Sequence, residues 1–313
     1  MSVTYGMFQQ TIRASTRPVF ILPLALVFGS ISALQAAPLK LHSIFTSNMV
    51  LQRDRPITIW GWADEGDKVT VSFAGQTDEA TAAPQEGRWE VSFPAREASA
   101  EPLTLVAASG DETVNMENIV MGDVWVAYGQ SNMAWQLSKT ISADLELTQT
   151  DVPLLRHFRI IPNEQSTMQT DIPLDKVDDG GWEVSSPRNA ASFSAIGYHF
   201  GANLQRSLGV PIGIICNARG GAAIESLTPR RKFAEDPLTK RYEEYITKEE
   251  SEFDVRAEAV IRWERQVEWS KKKGIPEAEW PKKPKGHENL RTWDIPGMSP
   301  SDAGACYNGM FGV

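Results

Sequence analysis

From Leu39 to Asn118 apolar and polar residues alternate with a period of two. Val69, Val71 and Phe73 alternate with Thr70 and Ser72, Trp89, Val91 and Phe93 with Glu90 and Ser92, and Leu103 and Leu105 follow the same rule. Successive side chains of a strand point to opposite faces, so each run predicts a strand with one buried face. The runs are short and separated by the turn-forming Glu65-Gly66-Asp67 and Glu86-Gly87-Arg88, the pattern of an antiparallel β-sandwich. Trp60 and Trp62 share one face of their strand, which suits core packing as well as sugar stacking. The sandwich, residues 38–118, is read as a structural buttress rather than a carbohydrate-contacting module, because no site is visible in it.

After Ile119 the pattern changes. Asp123 to Tyr128 is a continuous apolar run ended by Gly129, and the runs Leu155 to Ile161 and Val210 to Cys216 are of the same kind. Such runs predict strands of a parallel sheet buried on both faces. A helix from about Ser192 to Ser207 precedes the third strand, with Phe193, Ile196, Phe200 and Leu204 recurring at three- and four-residue steps as its buried face, until Gly209 and Pro211 stop it. The alternation predicts an α/β domain over residues 119–313, a flavodoxin-like parallel sheet with helices on both faces. In that order the third strand lies centrally, and without a fourth strand beside it Val210 to Cys216 would be a bare edge. A charged insertion at about residues 232–300 carries Tyr242, Tyr245, Phe253, Val260, Trp263 and Val267 between Leu238 and Lys273, which predicts one or two amphipathic helices ended by the proline-rich stretch Ile275 to Pro284. It either covers a cleft or forms an exposed helical hairpin.

The chain has 313 residues and a net charge of −9, which argues against nucleic acid as a partner. Lys271-Lys272-Lys273 lies among glutamates and reads as a solvated helix end. At the start, Arg13 and Arg17 precede the apolar run Val19 to Phe28, and Ala33, Ala36 and Ala37 follow it. That order predicts a signal segment over residues 1–37, cleaved near Ala37, and a secreted or periplasmic protein. Pro23 interrupts the apolar part, which is shorter than the ~20 residues of a spanning helix, so no stable membrane insertion is expected. The two cysteines, Cys216 and Cys306, fit no metal spacing. Cys216 reads as a buried small hydrophobe, and a bridge between the two stays open.

Ser131 stands just beyond the first parallel strand, where the chain leaves the sheet and side chains become exposed. Position alone allows a nucleophile or a serine that caps the next helix. The stretch Gly122-Asp-Val-Trp-Val-Ala-Tyr-Gly-Gln-Ser-Asn-Met133 resembles the nucleophile block of the sialate O-acetylesterase family, a branch of the SGNH hydrolases. Val210-Pro-Ile-Gly-Ile-Ile-Cys-Asn-Ala-Arg-Gly-Gly-Ala-Ala-Ile-Glu225 resembles a second block, with Ala222 and Ala223 in place of the family's Thr and Pro and Ser226-Leu227 in place of Ala-Trp. Asn48 to Arg53, Ile59 to Trp62 and Tyr307 to Met310 resemble the family as well.

The resemblance implies an exported carbohydrate esterase that removes O-acetyl groups from sialic acid or related acetylated glycans, with no metal or organic cofactor. Ser131 would be the nucleophile and its amide one oxyanion donor, with the second donor from Gly220-Gly221. Gln130 and Asn132 would support the serine or shape its turn, and Glu225 would serve the amino end of the following helix. The base is the gap. The family draws its histidine from an Asp-x-x-His motif, but the residues three before His42, His157, His199 and His287 are Leu39, Leu154, Ile196 and Pro284. His157 and His199 read as structural, and His287 lies in the insertion. The family block resembling Trp-Tyr-Gln-Gly-Glu-Ser-Asn is also missing. These gaps lead to the expectation of an incomplete hydrolase, nearly inactive as it stands, with a glycan-binding or catalytically dead remnant as the alternative.

Overall fold

The computed structural model describes residues 38–165, 167–172 and 180–286 and the single positions 290, 295, 296, 305 and 307. The expected signal segment, His287, Cys306 and Asn308 to Met310 lie outside the described residues. Strands β1 (Lys40–Leu41), β2 (Val50–Gln52), β3 (Ile57–Trp62), β4 (Lys68–Phe73), β5 (Gln76–Thr81), β6 (Arg88–Phe93) and β7 (Ser99–Ser109) precede an eighteen-residue strand, β8 (Glu112–Gly129). The order β1-β3-β6 makes one antiparallel sheet, and β5-β4-β7-β8 begins a second. Ile57, Ile59, Trp89, Val91 and Phe93 from the first sheet share one core with Val69, Val71, Phe73, Leu105 and Ile119 from the second. The period of two is thus realised as a sandwich core, because each sheet has one apolar face to hide.

Strand β8 does not end with the sandwich. Its first part pairs antiparallel with β7, the residues Val120 to Gly122 pair parallel with β2, and Asp123 to Gly129 pair parallel with β11 (Ile212–Ala218). The division expected after residue 118 falls inside this strand. Beyond β11 the sheet continues to β9 (Val152–Arg159), parallel, and to β10 (Trp182–Ser185), antiparallel. The result is one mixed sheet with the path β10-β9-β11-β8-β7-β4-β5.

Three expectations need correction. The parallel strands run second, third, first, not in the flavodoxin-like order in which the first strand separates the other two. Consequently Val210 to Cys216 is not a bare edge: β11 is flanked by β9 and β8. Its burial is nearly complete along its length, and a strand apolar on both faces is most stable in the middle of a sheet. Among the described residues, the side of Asp123 to Gly129 away from β11 has no strand partner, and Trp125 and Val126 there are 46% and 51% exposed. Among the described residues helices do not cover both faces either. One helix, α3 (Ala195–Leu208), covers β11 and β9 on one side, while on the other Phe158, Trp182 and Ile215 join the sandwich core.

The third correction concerns the buried face of α3. Ser194 caps the helix by accepting from the Gly197 amide at 3.0 Å, and Gly209, with φ +67°, ends it in the left-handed conformation. The residues it buries are Ala195, Gly197, Tyr198, Gly201 and Ala202, whereas Ile196 and Phe200 are 49% and 42% exposed. The reason is distance. A Cβ on Gly201 would stand 2.7 Å from Leu155 Cδ1 and 2.8 Å from Ile214 Cγ1, so the helix backbone lies too close to the sheet for large side chains. Ile196 and Phe200 are pushed to the flank, where the Phe200 ring meets Trp125 edge-on at 5.3 Å.

Short helices α1 (Ala143–Leu147) and α2 (Pro187–Ala190) lie between the strands. The insertion forms α4 (Arg230–Glu235), α5 (Lys240–Glu252) and α6 (Val255–Lys272). Arg230 joins the first two, bonding Glu243 at 2.9 Å and Glu250 at 2.8 Å. No helix among the described residues is long and apolar enough to cross a membrane.

The close approach of α3 generates a test. Gly201→Val should cost on the order of 1–3 kcal/mol by overpacking, whereas Ile196→Ser, at a flank position, should cost under about 1 kcal/mol. Urea unfolding midpoints of the two variants check this; the opposite ranking would restore Ile196 to the buried face.

Candidate active site

The site is set by the register of two parallel strands. Ala218 of β11 pairs with Gly129 of β8, and the Arg219 amide donates to the Gly129 carbonyl at 3.0 Å. Both strands then end together, so the turn that carries Ser131 and the loop that carries Gly220 and Gly221 leave the sheet side by side. Position 129 needs glycine for this: a Cβ there would come within 3.1 Å of Met133 Cβ as the chain turns back. The turn is closed by the Ala134 amide on the Gln130 carbonyl at 2.9 Å. No helix starts at Ser131, so the serine caps nothing; the next helical residues are Leu137–Lys139.

Ser131, Gln130 and Asn132 are all exposed. The Ser131 hydroxyl donates to Gln130 Oε1 at 2.9 Å, and the Ser131 amide points to the same oxygen at 3.2 Å. Gln130 therefore holds the serine and also occupies the amide expected to bind an oxyanion. It would have to swing aside when a carbonyl binds. Asn132 shapes the turn, accepting from the Trp135 amide at 3.3 Å through its carbonyl.

Gly220 and Gly221 are exposed, and nothing stands within 4 Å of where a Cβ would be at either, so the loop is not wedged against the rest of the structure there. Gly221 has φ +81°, a conformation that favours glycine. Arg219 fixes this loop. Its guanidinium pairs with Glu164, a carboxylate only 6% exposed, and donates to the Gly220 carbonyl at 3.2 Å. Glu164 was not legible as a site residue, because it lies in a loop with no motif of its own. Arg219, inside the second block, was the available signal. Tyr128 adds a further tie, its hydroxyl donating to the Leu227 carbonyl.

The expected role of Glu225 is not realised. Residues 224–227 form a turn, with the Thr228 amide on the Glu225 carbonyl at 3.2 Å, and the next helix begins only at Arg230. Cys216 is a buried free thiol that burial pushes up to about 11, as suits a small core hydrophobe.

None of the described histidines reaches Ser131. His157 is in mid-strand on β9, stacked on Phe193 at 4.3 Å, and burial, aided by Arg159, lowers it to about 3, so it is neutral. His42 belongs to the sandwich and is held below its ordinary value by burial. His199 is about half exposed on α3 and pairs with Glu146 at 2.8 Å. Among the described residues the serine and the candidate oxyanion donors come together, and a base does not. Beside them an apolar cavity of about 220 Å³ opens along the free edge of β8, lined by Trp125, Val126, Met133, Ile196, Phe200 and Ile214.

No protein-family model matches the chain. Sialate O-acetylesterase of Mus musculus is 28% identical over 234 residues, covering 69% of this chain and 42% of that protein. Sialate O-acetylesterase of Homo sapiens is 26% identical over 209 residues, covering 61% of this chain and 39% of that protein. The crystal structure of a carbohydrate acetylesterase from Xanthomonas citri superposes with a TM-score of 0.59 at 32% identity, covering 63% of this chain and 43% of that chain. The chain is thus similar to sialate O-acetylesterases over 61–69% of its length. It spans about two-fifths of the length of the curated relatives it matches.

The neutral His157 has a consequence for stability. Its folded-state value near 3 lies below the ordinary 6.5, so below pH 6.5 the unfolded chain takes up a proton that the folded chain refuses. Stability from this group is full above pH 6.5 and falls by about 1.4 kcal/mol per pH unit as the pH drops toward 3. Relative to the parent, His157→Gln should therefore lose less stability between pH 7 and pH 4.5. Urea titrations of both proteins across that range measure the difference; parallel pH curves would remove His157 as the source.

Proposed function

We propose that this chain acts as part of an exported carbohydrate O-acetylesterase, with acetylated sialic acid or a related acetylated glycan as substrate and Ser131 as nucleophile. The observation that carries the reading is the exposed Ser131 beside the open loop Gly220-Gly221, at the common end of two register-locked parallel strands. The kinship with sialate O-acetylesterases and with a carbohydrate acetylesterase supports it.

In this reading the Ser131 oxygen attacks the acetyl carbonyl, the sugar oxygen leaves, and water then releases acetate from the acyl-serine. The tetrahedral oxyanion is met by the Ser131 amide, once Gln130 has turned away, and by an amide of the Gly220-Gly221 loop. Arg219, clamped by Glu164, keeps that loop in place. The proton of Ser131 needs a base, and the three described histidines do not provide one. Without a base the serine stays protonated, and loss of a triad member costs on the order of a thousand-fold or more in rate.

The reading is tested by acetate release from p-nitrophenyl acetate and from an O-acetylated sialoside. The 313-residue chain should show weak turnover above the buffer rate, and Ser131→Ala should remove it. Unchanged turnover in Ser131→Ala would take the serine out of the mechanism. Saturable binding of the sialoside without any acetate release would favour a catalytically dead remnant.

A further inference from the structure

The outer face of the small sheet carries a groove that the catalytic reading does not use. Along β3, Ile57 and Ile59 point into the sandwich core, and Thr58, Trp60 and Trp62 point the other way. Across the sheet, Trp60 pairs with Glu90, Trp62 with Arg88 and Thr58 with Ser92, so these side chains share one surface. Thr58, Trp60, Trp62, Arg88 and Glu90, with Glu86 and with Thr170 from the loop after β9, line a cavity of about 320 Å³, at the lower end of the range of small-molecule sites, roughly 300–1,000 Å³.

The two indoles are braced from below. The His42 ring, 2% exposed, lies 5.2 Å from Trp60 and 5.9 Å from Trp62 at tilts of 37° and 38°. Phe45 meets Trp60 edge-on at 4.6 Å. His42 is itself fixed: its Nδ1 accepts from the Ile44 amide at 3.1 Å and its Nε2 stands 3.2 Å from Asp171. The groups facing His42 are Asp171, Lys40 and Arg88, and burial holds the ring below its ordinary value against the pull of Asp171. Pre-organised aromatic faces of this kind cost little entropy when a ligand settles on them.

The chemistry of the rim selects the ligand. Arg88 and Glu90 are paired at 2.9 Å and about half exposed, giving donors and acceptors side by side for vicinal hydroxyl groups. Cations are already placed at both rings, Lys40 at 5.3 Å from Trp62 and Arg88 at 6.0 Å from Trp60, so a cationic ligand would meet like charge. Glu86 and Glu90 on the same rim oppose an anionic one. What fits is a neutral ring with an apolar face and hydroxyls at its edge. We infer that the Trp60–Trp62 groove is a non-catalytic binding site for neutral pyranose units of a glycan, separate from Ser131.

The argument rests on the sandwich and not on the catalytic reading, and the test keeps the two apart. The full chain is titrated with xylohexaose, cellohexaose and mannohexaose, followed by calorimetry and tryptophan fluorescence, with sialyllactose as the acidic control. At least one neutral hexamer should bind saturably, the acidic sugar more weakly, and Ser131→Ala should bind like the parent. Trp60→Ala or Trp62→Ala should weaken binding about tenfold. Because Trp60 also packs on Phe45 and His42, Arg88→Ala and Glu90→Gln, at exposed positions, serve as variants whose melting temperature should stay that of the parent while binding falls several-fold. No binding of any neutral hexamer, preference for sialyllactose, or binding unchanged in all four variants would overturn the assignment.

Discussion

The parallel pairing of β8 with β11 is the constraint on which the rest of the structure depends. Seven consecutive residues are locked, from Ile212 opposite Asp123 to Ala218 opposite Gly129, and a one-residue slip would turn every side chain to the other face. The register is guarded at its start. Gly122 lies so close to Pro211 that a Cβ would fall 2.0 Å from the Pro211 carbonyl oxygen, and Arg53 clamps Asp123 through both carboxylate oxygens at 2.8 and 3.1 Å. At the other end of the same ladder stand Ser131 and the glycine pair. The geometry of the site is therefore inherited from contacts made a full strand length away, near the sandwich.

Where the sandwich meets the parallel sheet, a buried arginine ties the two. Arg156, 3% exposed on β9, donates to the carbonyls of Asn48 and Asn118 and, at 3.0 Å, to the Asn118 side chain. Both asparagines have positive φ, 69° and 56°, and bond each other at 2.7 Å. Burial lowers the arginine to about 10, which leaves it charged at neutral pH. A buried charge held by carbonyls is costly to strip of its partners, on the order of 1–3 kcal/mol for each group left unpaired. The cluster thus disfavours any sliding of β9 and β8 against each other, and it keeps both asparagine turns in a conformation that few other residues tolerate.

For an acetyl transfer site, the division of labour is uneven. The proposed nucleophile, Ser131, and the proposed oxyanion donors of the Gly220-Gly221 loop come from two neighbouring strand ends, and Gln130, Arg219 and Glu164 lie within the same small region. A proton acceptor must come from a different part of a fold, because the base has to approach the serine from outside its own strand. The free side of β8, with Trp125 and Val126 exposed and an apolar cavity along it, is where the described sheet is least self-sufficient.

What was legible in the sequence was whatever local order decides. Alternation in Val69 to Phe73 and Trp89 to Phe93 announced strands with one hidden face, the run before Gly129 announced a strand with Ser131 at its tip but not that Trp125 and Val126 in it would be exposed, and Gly209 announced the end of α3. Each depends only on neighbours along the chain. Strand order, the choice of which side of α3 is buried, and the outward direction of Trp60 and Trp62 depend on partners far away in sequence. Periodicity says that two faces differ but not what each will meet. Phe200 is apolar enough for a core, yet it is kept at the flank because Gly201 lets the helix backbone rest against Leu155 and Ile214. Trp62 is apolar enough as well, yet Gly61 beside it takes the inner face, where a Cβ would strike the Lys40 carbonyl at 2.0 Å. Only the tertiary structure decided these, since close packing is a property of pairs of surfaces and neither surface alone contains it.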